Sequence, residues 1–313
     1  MGPSGGGERL RIGVDLGGTK IEVAALDGTG AIRERRRCPT PRHDYGATLR
    51  AVAELVTAVE STLGRRGTVG VGAPGSISPF SGRMRNANSV WLNDRRLESD
   101  LRDTLDRPVR LANDADCFAL SEAVDGSGKG ARCVFGVIVG TGTGAGVVID
   151  GRLLTGPNGI AGEWGHNPLP WPRAEEIPGP PCYCGKRGCI ETFLSGPGLA
   201  VDYRSTAGGA SDPERIAAAA ESGDPLAVAA LNRYEDRMAR SLASVINILD
   251  PDVIVLGGGL SNLTRLYRSV PALIPRYLFS DGASIRLRRP AHGDSSGVRG
   301  AAWLWEAGSS TGP

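Results

Sequence analysis

Lysine is scarce in this chain of 313 residues: of its 36 basic side chains only Lys20, Lys129 and Lys186 are lysines. The arginines are scattered rather than clustered, which fits a GC-rich coding bias and not a dedicated binding surface. An excess of one charge is lacking too. With 34 acidic residues the net charge is +2, so there is no electrostatic footprint for nucleic acid or an anionic membrane. Long apolar runs are also missing. The longest uncharged stretch, 133–149, has 17 residues and carries five glycines and two threonines, whereas a membrane span needs roughly 20 mostly apolar residues. The opening MGPSGGGERLR lacks the apolar core of a secretory signal. Position 6 is Gly, so the myristoylation pattern that Gly2 could begin fails. A soluble, cytoplasmic protein is the expectation. No G-x-x-x-x-G-K-S/T occurs, which excludes a P-loop NTPase.

What is present reads as globular α/β protein. Hydrophobic residues make up 40% and charged ones 22%, enough for a buried core, and the length suits about two domains of roughly 150 residues. Strands are expected over 9–16 and 21–26, around the turn Gly17-Gly18-Thr19. A helix over 48–63 and a strand over 68–73 follow, then a helix over 97–105, a strand over 109–112 and a helix over 114–124. Strands over 133–139 and 147–150 flank a second Gly/Thr turn. The long helix 226–249 puts Leu231, Tyr234, Met238, Leu242, Val245 and Leu249 on one face. A strand over 253–256 runs into Gly257-Gly258-Gly259, and a Ser-capped helix over 295–305 closes the chain. A small N-terminal domain over 8–113, completed by the helix 295–306, would precede a large α/β domain over 114–294. Residues 1–7 and 308–313 read as flexible tails. VDLGGTKIEVAALDG at 14–28 and IVGTGTGAGVVIDG at 138–151 echo each other, which points to two related halves facing each other.

Glycine and threonine at a hairpin tip let backbone N–H groups and hydroxyls approach an anion. Two such tips suit a polyphosphate; two ordinary tight turns are the bland alternative. GTGTGA at 140–145 and GVGAPG at 70–75 fit dinucleotide patterns, but neither opens a helix, so both are discounted. Asn113-Asp114 ends a strand and opens a helix, a place where ligands are met, although either residue could simply cap that helix. Cys38, Cys117 and Cys133 stand alone and read as buried small hydrophobes. Cys182, Cys184 and Cys189 crowd into eight residues, with His166 the only nearby histidine. Three thiolates and one imidazole make a tetrahedral zinc site.

Together these pieces resemble the ROK family of bacterial sugar kinases over nearly all of 9–306. The resemblance rests on Asp15-Leu-Gly17-Gly18-Thr19-Lys20, the turn 70–75, Asn113-Asp114, the turn 140–146, Gly162-Glu163-Trp-Gly-His166, the cysteine motif with Glu191, and Gly257–Gly259. It implies an α/β, two-domain actin-like (hexokinase-like) ATPase fold with a small zinc-binding loop. By resemblance, Asp114 would be the general base, and Asn113, Asp114, Glu163, His166 and Glu191 would hold sugar hydroxyls, with Asn88 a further candidate. Gly17, Gly18, Thr19 and Lys20, with Thr141, Gly142 and Thr143, would hold the ATP phosphates. Asp15 would position Mg2+, and Gly257, Gly258 and Gly259 would approach the adenosine. His166 would serve twice: as zinc ligand with Cys182, Cys184 and Cys189, and as sugar contact through its other nitrogen.

Within the family, PGSISP at 74–79, NANSVWLN at 86–93, SEAVDG at 121–126, GHNPLPW at 165–171, PCYCGKRGCIETF at 181–193 and HGDSSGVRGAAWLW at 292–305 look most like the fructokinase (mannokinase-like) branch. The resemblance therefore implies phosphorylation of D-fructose to D-fructose 6-phosphate with ATP. Glucokinase, mannokinase and N-acetylhexosamine kinase are the alternatives within the kinases. A sugar-responsive regulator is a further one, but too little chain precedes the first strand for its helix-turn-helix. A homodimer is the family expectation.

Overall fold

The computed structural model describes residues 10–209 and 211–305; the tails at 1–7 and 308–313 lie outside them. Two compact units divide the chain. The first holds the chain up to Asp125, the segment Thr155–Ile160 and the chain from Asp294 on. The second holds Gly126–Leu154 and Ala161–Gly293.

The first unit is built on strands β1 (Arg11–Leu16), β2 (Lys20–Leu26), β3 (Ile32–Pro39), β4 (Thr68–Ala73) and the later β7 (Val109–Asn113), in the order β3-β2-β1-β4-β7. The first three pair antiparallel, whereas β1, β4 and β7 run parallel. Parallel strands need crossovers, which helices α1 (Tyr45–Leu63) and α2 (Leu97–Leu105) supply, with the short hairpin β5 (Ser76–Ile77) and β6 (Met84–Arg85) between them. Val52, Val56 and Val59 of α1 and Leu97, Leu101 and Leu105 of α2 fall at helical spacing and bury against the sheet.

The unit is completed by α3 (Asp114–Val124) and the closing helix α9 (Ser296–Trp303), which pack on each other. Three glycines allow α9 to sit directly on backbone. A Cβ on Gly300 would lie 1.6 Å from the Cys117 carbonyl oxygen, one on Gly13 1.8 Å from that of Val298, and one on Gly70 1.9 Å from that of Ala301. Gly300→Ala is therefore expected to force α3 and α9 apart and to cost about 1–3 kcal/mol or more. A urea midpoint equal to that of the parent would show that this contact is not tight.

This packing also moves a boundary. From sequence, the large domain begins at Asp114; in the structure α3 and Thr155–Ile160 belong with the first unit. The reason for α3 is the Gly300 contact, and for the segment the Arg85 guanidinium, which donates to the Asn158 carbonyl at 2.6 Å. The Ser cap of α9 is corrected as well: Ser295 makes no side-chain capping bond, while the buried Ser296 hydroxyl donates to Glu122.

The second unit repeats the plan. Strands β8 (Cys133–Val139), β9 (Thr143–Ile149), β10 (Arg152–Leu153), β11 (Val253–Gly257) and β12 (Leu287–Arg288) lie in the order β10-β9-β8-β11-β12. Here too the first three are antiparallel and the last three parallel. Both sheets thus have one topology, which agrees with the echo between 14–28 and 138–151. Helices α4 (Ile190–Leu194), α5 (Gly196–Ala207), α6 (Pro213–Glu221), α7 (Pro225–Leu249) and α8 (Leu266–Leu273) complete the unit. The α7 stripe of Leu231, Tyr234, Met238 and Leu242 is buried in its core. Cys117 and Cys133 are buried as expected, while Cys38, near the end of the edge strand β3, is only half-buried. No helix among the described residues is long and apolar enough to cross a membrane.

Candidate functional site

In the first unit the β1–β2 turn is closed by the Gly17 N–H donating to the Lys20 carbonyl at 3.0 Å. The segment after β3 braces it from outside. The Thr40 hydroxyl donates to the Gly17 carbonyl at 2.7 Å, and the Arg42 guanidinium donates to the Gly18 carbonyl at 3.1 Å. Buried Ser89 adjoins the turn as well, its Oγ 3.1 Å from where a Gly18 Cβ would stand. Asn88 beside it is exposed. Neither Thr40 nor Arg42 stands out in the sequence, because the strand that delivers them is masked by its charges. An exposed cation against a Gly/Thr turn suits an anionic ligand.

Asp15, at the end of β1, is paired across the hairpin with Glu22. Burial first, then the charges of Asp114 and Glu22, push its carboxyl from 3.8 up to about 6. The folded chain holds this proton more tightly than an unfolded one, so Asp15 adds stability at low pH that is lost as pH rises through that interval. Crowded carboxylates of this kind are what a divalent cation relieves. The cap of α3 resolves the ambiguity at 113–114. Asn113 is the N-cap: its side-chain oxygen accepts from the Ala115 N–H at 2.8 Å, and its amide donates to the Gly75 carbonyl at 2.9 Å. Asp114 follows as the first helical residue and is exposed. Its carboxylate shares the Ala115 N–H, at 2.8 Å, with Asn113, which holds the cap position.

In the second unit the 140–142 tip joins β8 to β9, with the Gly140 N–H donating to the Gly142 carbonyl at 2.9 Å. Because β9 starts at Thr143 and not at 147, GTGTGA runs into a strand, as its discounting required. Thr141 is exposed and Thr143 buried. A cleft of about 750 Å³ adjoins this tip, lined by Gly140, Thr141, Gly196, Asp212, Gly259 and Leu260 among others. Gly257 ends β11 inside the sheet, and Gly258 and Gly259 are exposed.

The 162–166 segment packs backbone to backbone on β9: a Cβ on Gly165 would lie 2.0 Å from the Thr143 carbonyl oxygen. It delivers Glu163 exposed and His166 half-buried. The ligand atoms of His166, Cys182, Cys184 and Cys189 all lie within 4.8 Å of one another. Cys184 and Cys189 sulfurs are 3.6 Å apart, and the Cys182 sulfur is 3.5 Å from His166 Nδ1. Ligands on one tetrahedral zinc, with bonds of roughly 2.3 Å to sulfur, must lie about 3.8 Å apart. Burial, then the neighbouring Cys184 and Cys182 thiols, push Cys189 up to about 12, whereas the backbone N–H of Lys186 holds the exposed Cys184 thiol below its ordinary value. The residues fit zinc.

His166 Nε2, the nitrogen expected to meet sugar, is 2.9 Å from the Tyr183 hydroxyl, with the two rings edge to face. Tyr183 lies between two of the cysteines. Tyr183 is largely exposed; partial desolvation, then the charges of Glu191 and Glu163, push its phenol up to about 12. Glu191 stands on α4, and its Oε2 accepts from the Thr143 N–H at 2.9 Å.

The ROK family pattern matches residues 11–308. The chain belongs to the ROK family. A ROK hexokinase from Thermus thermophilus superposes with a TM-score of 0.84 at 32% identity, covering 94% of this chain and 97% of that one. A ROK family glucokinase from Streptomyces griseus, solved with glucose and AMPPNP, gives 0.77 at 27% identity, covering 94% and 98%. The fold is therefore the two-domain, hexokinase-like actin fold. In sequence, an N-acetyl-D-glucosamine kinase of Salmonella paratyphi A is 42% identical over 296 residues, 93% of this chain and 98% of that protein. This overturns the expectation of a fructokinase. Most of the length of the stretches that carried it is scaffold: 292–305 is mostly α9, packed on the first sheet, and 181–193 mainly folds the cysteine cluster. The site candidates inside them, Asn88, His166 and Glu191, are ones that the resemblance to the family at large assigns to sugar, so they do not single out fructose.

Proposed function

We propose that this ROK protein is an ATP-dependent kinase of N-acetylated hexosamines, with N-acetyl-D-glucosamine phosphorylated at its 6-hydroxyl. The observation that carries the reading is the 42% identity to an N-acetyl-D-glucosamine kinase, spanning 93% of the chain. The geometry supports it from each unit separately. The first offers an exposed carboxylate, Asp114, at the C-terminal edge of a parallel sheet, beside Asn113 and a Gly/Thr turn braced by Arg42. The second offers a Gly/Thr turn with a cleft of about 750 Å³ beside it, Glu191 bonded to that turn, His166 against the Tyr183 hydroxyl, and the exposed Glu163.

In this reading Asp114 takes the proton of the 6-hydroxyl as that oxygen bonds to the γ-phosphorus and the bond from phosphorus to the β,γ-bridging oxygen breaks, releasing ADP. Asn113, Glu163, His166 and Glu191 hold the other sugar oxygens, with Asn88 at the rim; strong acceptors suit hydroxyl donors. His166 reaches the sugar once a sugar hydroxyl replaces that of Tyr183. Gly17 to Lys20 and Thr141 to Thr143 present backbone and side-chain donors to the phosphates, Gly258 and Gly259 border the adenosine, and positioning does most of the work. Asp15 would hold Mg2+, which supplies charge neutralisation at the phosphates when bound. Zinc, held by His166, Cys182, Cys184 and Cys189, leaves no open position and would be structural.

Sugar choice is the test. With Mg-ATP, N-acetyl-D-glucosamine is expected to exceed glucose in kcat/KM by on the order of tenfold, a ratio within reach of one pocket difference. ADP release measured across N-acetylated and plain hexoses decides it. A clear preference for glucose would move the chain to the glucokinases.

A further inference from the structure

Glu191 is bound to the nucleotide side of its unit more closely than a sugar ligand needs to be. Its Oε2 accepts the Thr143 N–H at 2.9 Å, and a Cβ on Gly142 would stand 2.7 Å from that same oxygen. The helix that follows, α5, is fixed to the turn as well, because the N–H of Gly196, its first residue, donates to the Gly140 carbonyl at 2.7 Å. Thr143 is buried, and its hydroxyl has no partner among the described residues. Among those residues no Lys or Arg forms an ion pair with Glu191. A carboxylate thus lies inside a turn whose Gly/Thr composition suits phosphate, occupies one of its N–H donors, and carries no countercharge.

We infer that Glu191 is a positioning residue that makes nucleotide binding depend on sugar. This rests on the kinase reading above. Uncovered, the carboxylate is a fixed negative charge in the 140–143 turn and disfavours an incoming polyphosphate. Sugar hydroxyls donating to it spread that charge while leaving Oε2 on Thr143, and the turn then accepts phosphate more readily. Such coupling is reciprocal, so nucleotide strengthens sugar binding by the same factor. The arrangement makes sugar the first ligand and limits ATP hydrolysis in its absence.

The test is calorimetric titration of Mg-AMPPNP into the intact protein, with and without saturating N-acetyl-D-glucosamine. The parent is expected to bind nucleotide about fivefold or more tightly with sugar present. Glu191→Gln keeps an oxygen for the Thr143 N–H but removes the charge, so its sugar-free affinity should rise by a similar factor. Glu163→Gln is the control: it removes a sugar-side carboxylate with no bond to the turn and should match the sugar-free parent. Zinc content and thermal midpoint, equal in all three, exclude misfolding. The sugar effect on the parent needs no variant. A parent that binds both ligands independently, or a Glu191→Gln affinity no higher than that of Glu163→Gln, overturns this inference alone. A parent that binds neither ligand overturns the kinase reading with it.

Discussion

Asp114→Asn is expected to lower turnover by about 10²–10⁴-fold, the usual cost of losing a general base. The amide keeps the shape of the carboxylate but cannot accept the hydroxyl proton. The structure makes this substitution unusually clean. Asn113, one residue earlier, caps α3 and ties it to Gly75, so the helix start does not depend on position 114. The further bond from the Ala115 N–H to Asp114 Oδ1, 2.8 Å, can pass to an amide oxygen. The charge of Asp114 is also one of the causes that raise Asp15, so its removal lets Asp15 ionise nearer its ordinary range. Stability at neutral pH should therefore hold or rise slightly while activity collapses. Steady-state ADP release and a thermal melt on one preparation check both halves. Turnover within a factor of two of the parent would reduce Asp114 to an ordinary first-turn acid; a collapse of stability would make the activity loss uninformative about the base.

The two Gly/Thr hairpins were legible in the sequence because a turn between apolar strands leaves a strong local signal, and Asp15, Gly17 to Lys20 and Thr141 to Thr143 came with them. The cysteine cluster was legible from spacing alone. β3 was not: residues 33–37 are all charged, yet they form an edge strand because Arg35 and Arg33 pair with the buried Glu22 and Asp27 of the neighbouring chain segment. With β3 went Thr40 and Arg42, whose place at the turn depends on where that strand ends. The helices α5 and α6 were missed for another reason. They are short, start at Gly and Pro, and are rich in small residues, so apolar periodicity scarcely marks them. Tyr183 had no signal of its own; only folding brings its hydroxyl to His166. Sugar choice lay furthest from view. The stretches that point to fructose are mostly packing and metal-loop sequence, and the sugar contacts inside them are shared by the family, whereas selection depends on which oxygens a small number of groups can reach.

Loss of zinc is the other large effect expected, and the structure changes how far it should spread. Cys184 is the exposed member of the four ligands, so Cys184→Ser removes a thiolate with little disturbance of packing. One missing ligand gives up part of a binding energy on the order of 10–16 kcal/mol that serves as folding energy in such sites. From sequence, zinc loss is expected to weaken sugar binding and loosen the 162–191 segment more than it harms the ATP turns. Two contacts argue that the 140–143 turn follows in part. Cys189 is the N-cap residue of α4, which holds Glu191 on Thr143, and the 162–166 segment rests on β9 through Gly165. The Gly17 to Lys20 turn rests on Thr40 and Arg42 in the other unit, with no such bond to α4 among the described residues. Zinc removal by strong chelation, or Cys184→Ser, is therefore expected to weaken N-acetyl-D-glucosamine binding about tenfold or more. Nucleotide affinity should change less, and hydrogen exchange should rise over 162–191 and 140–143 but not over 17–20. Metal analysis of the purified protein comes first, followed by sugar and nucleotide titrations before and after chelation. Protein that contains no zinc, gains none on addition and phosphorylates sugar at full rate would sink the proposal; exchange rising equally in both turns would place the effect on the whole fold and not on α4.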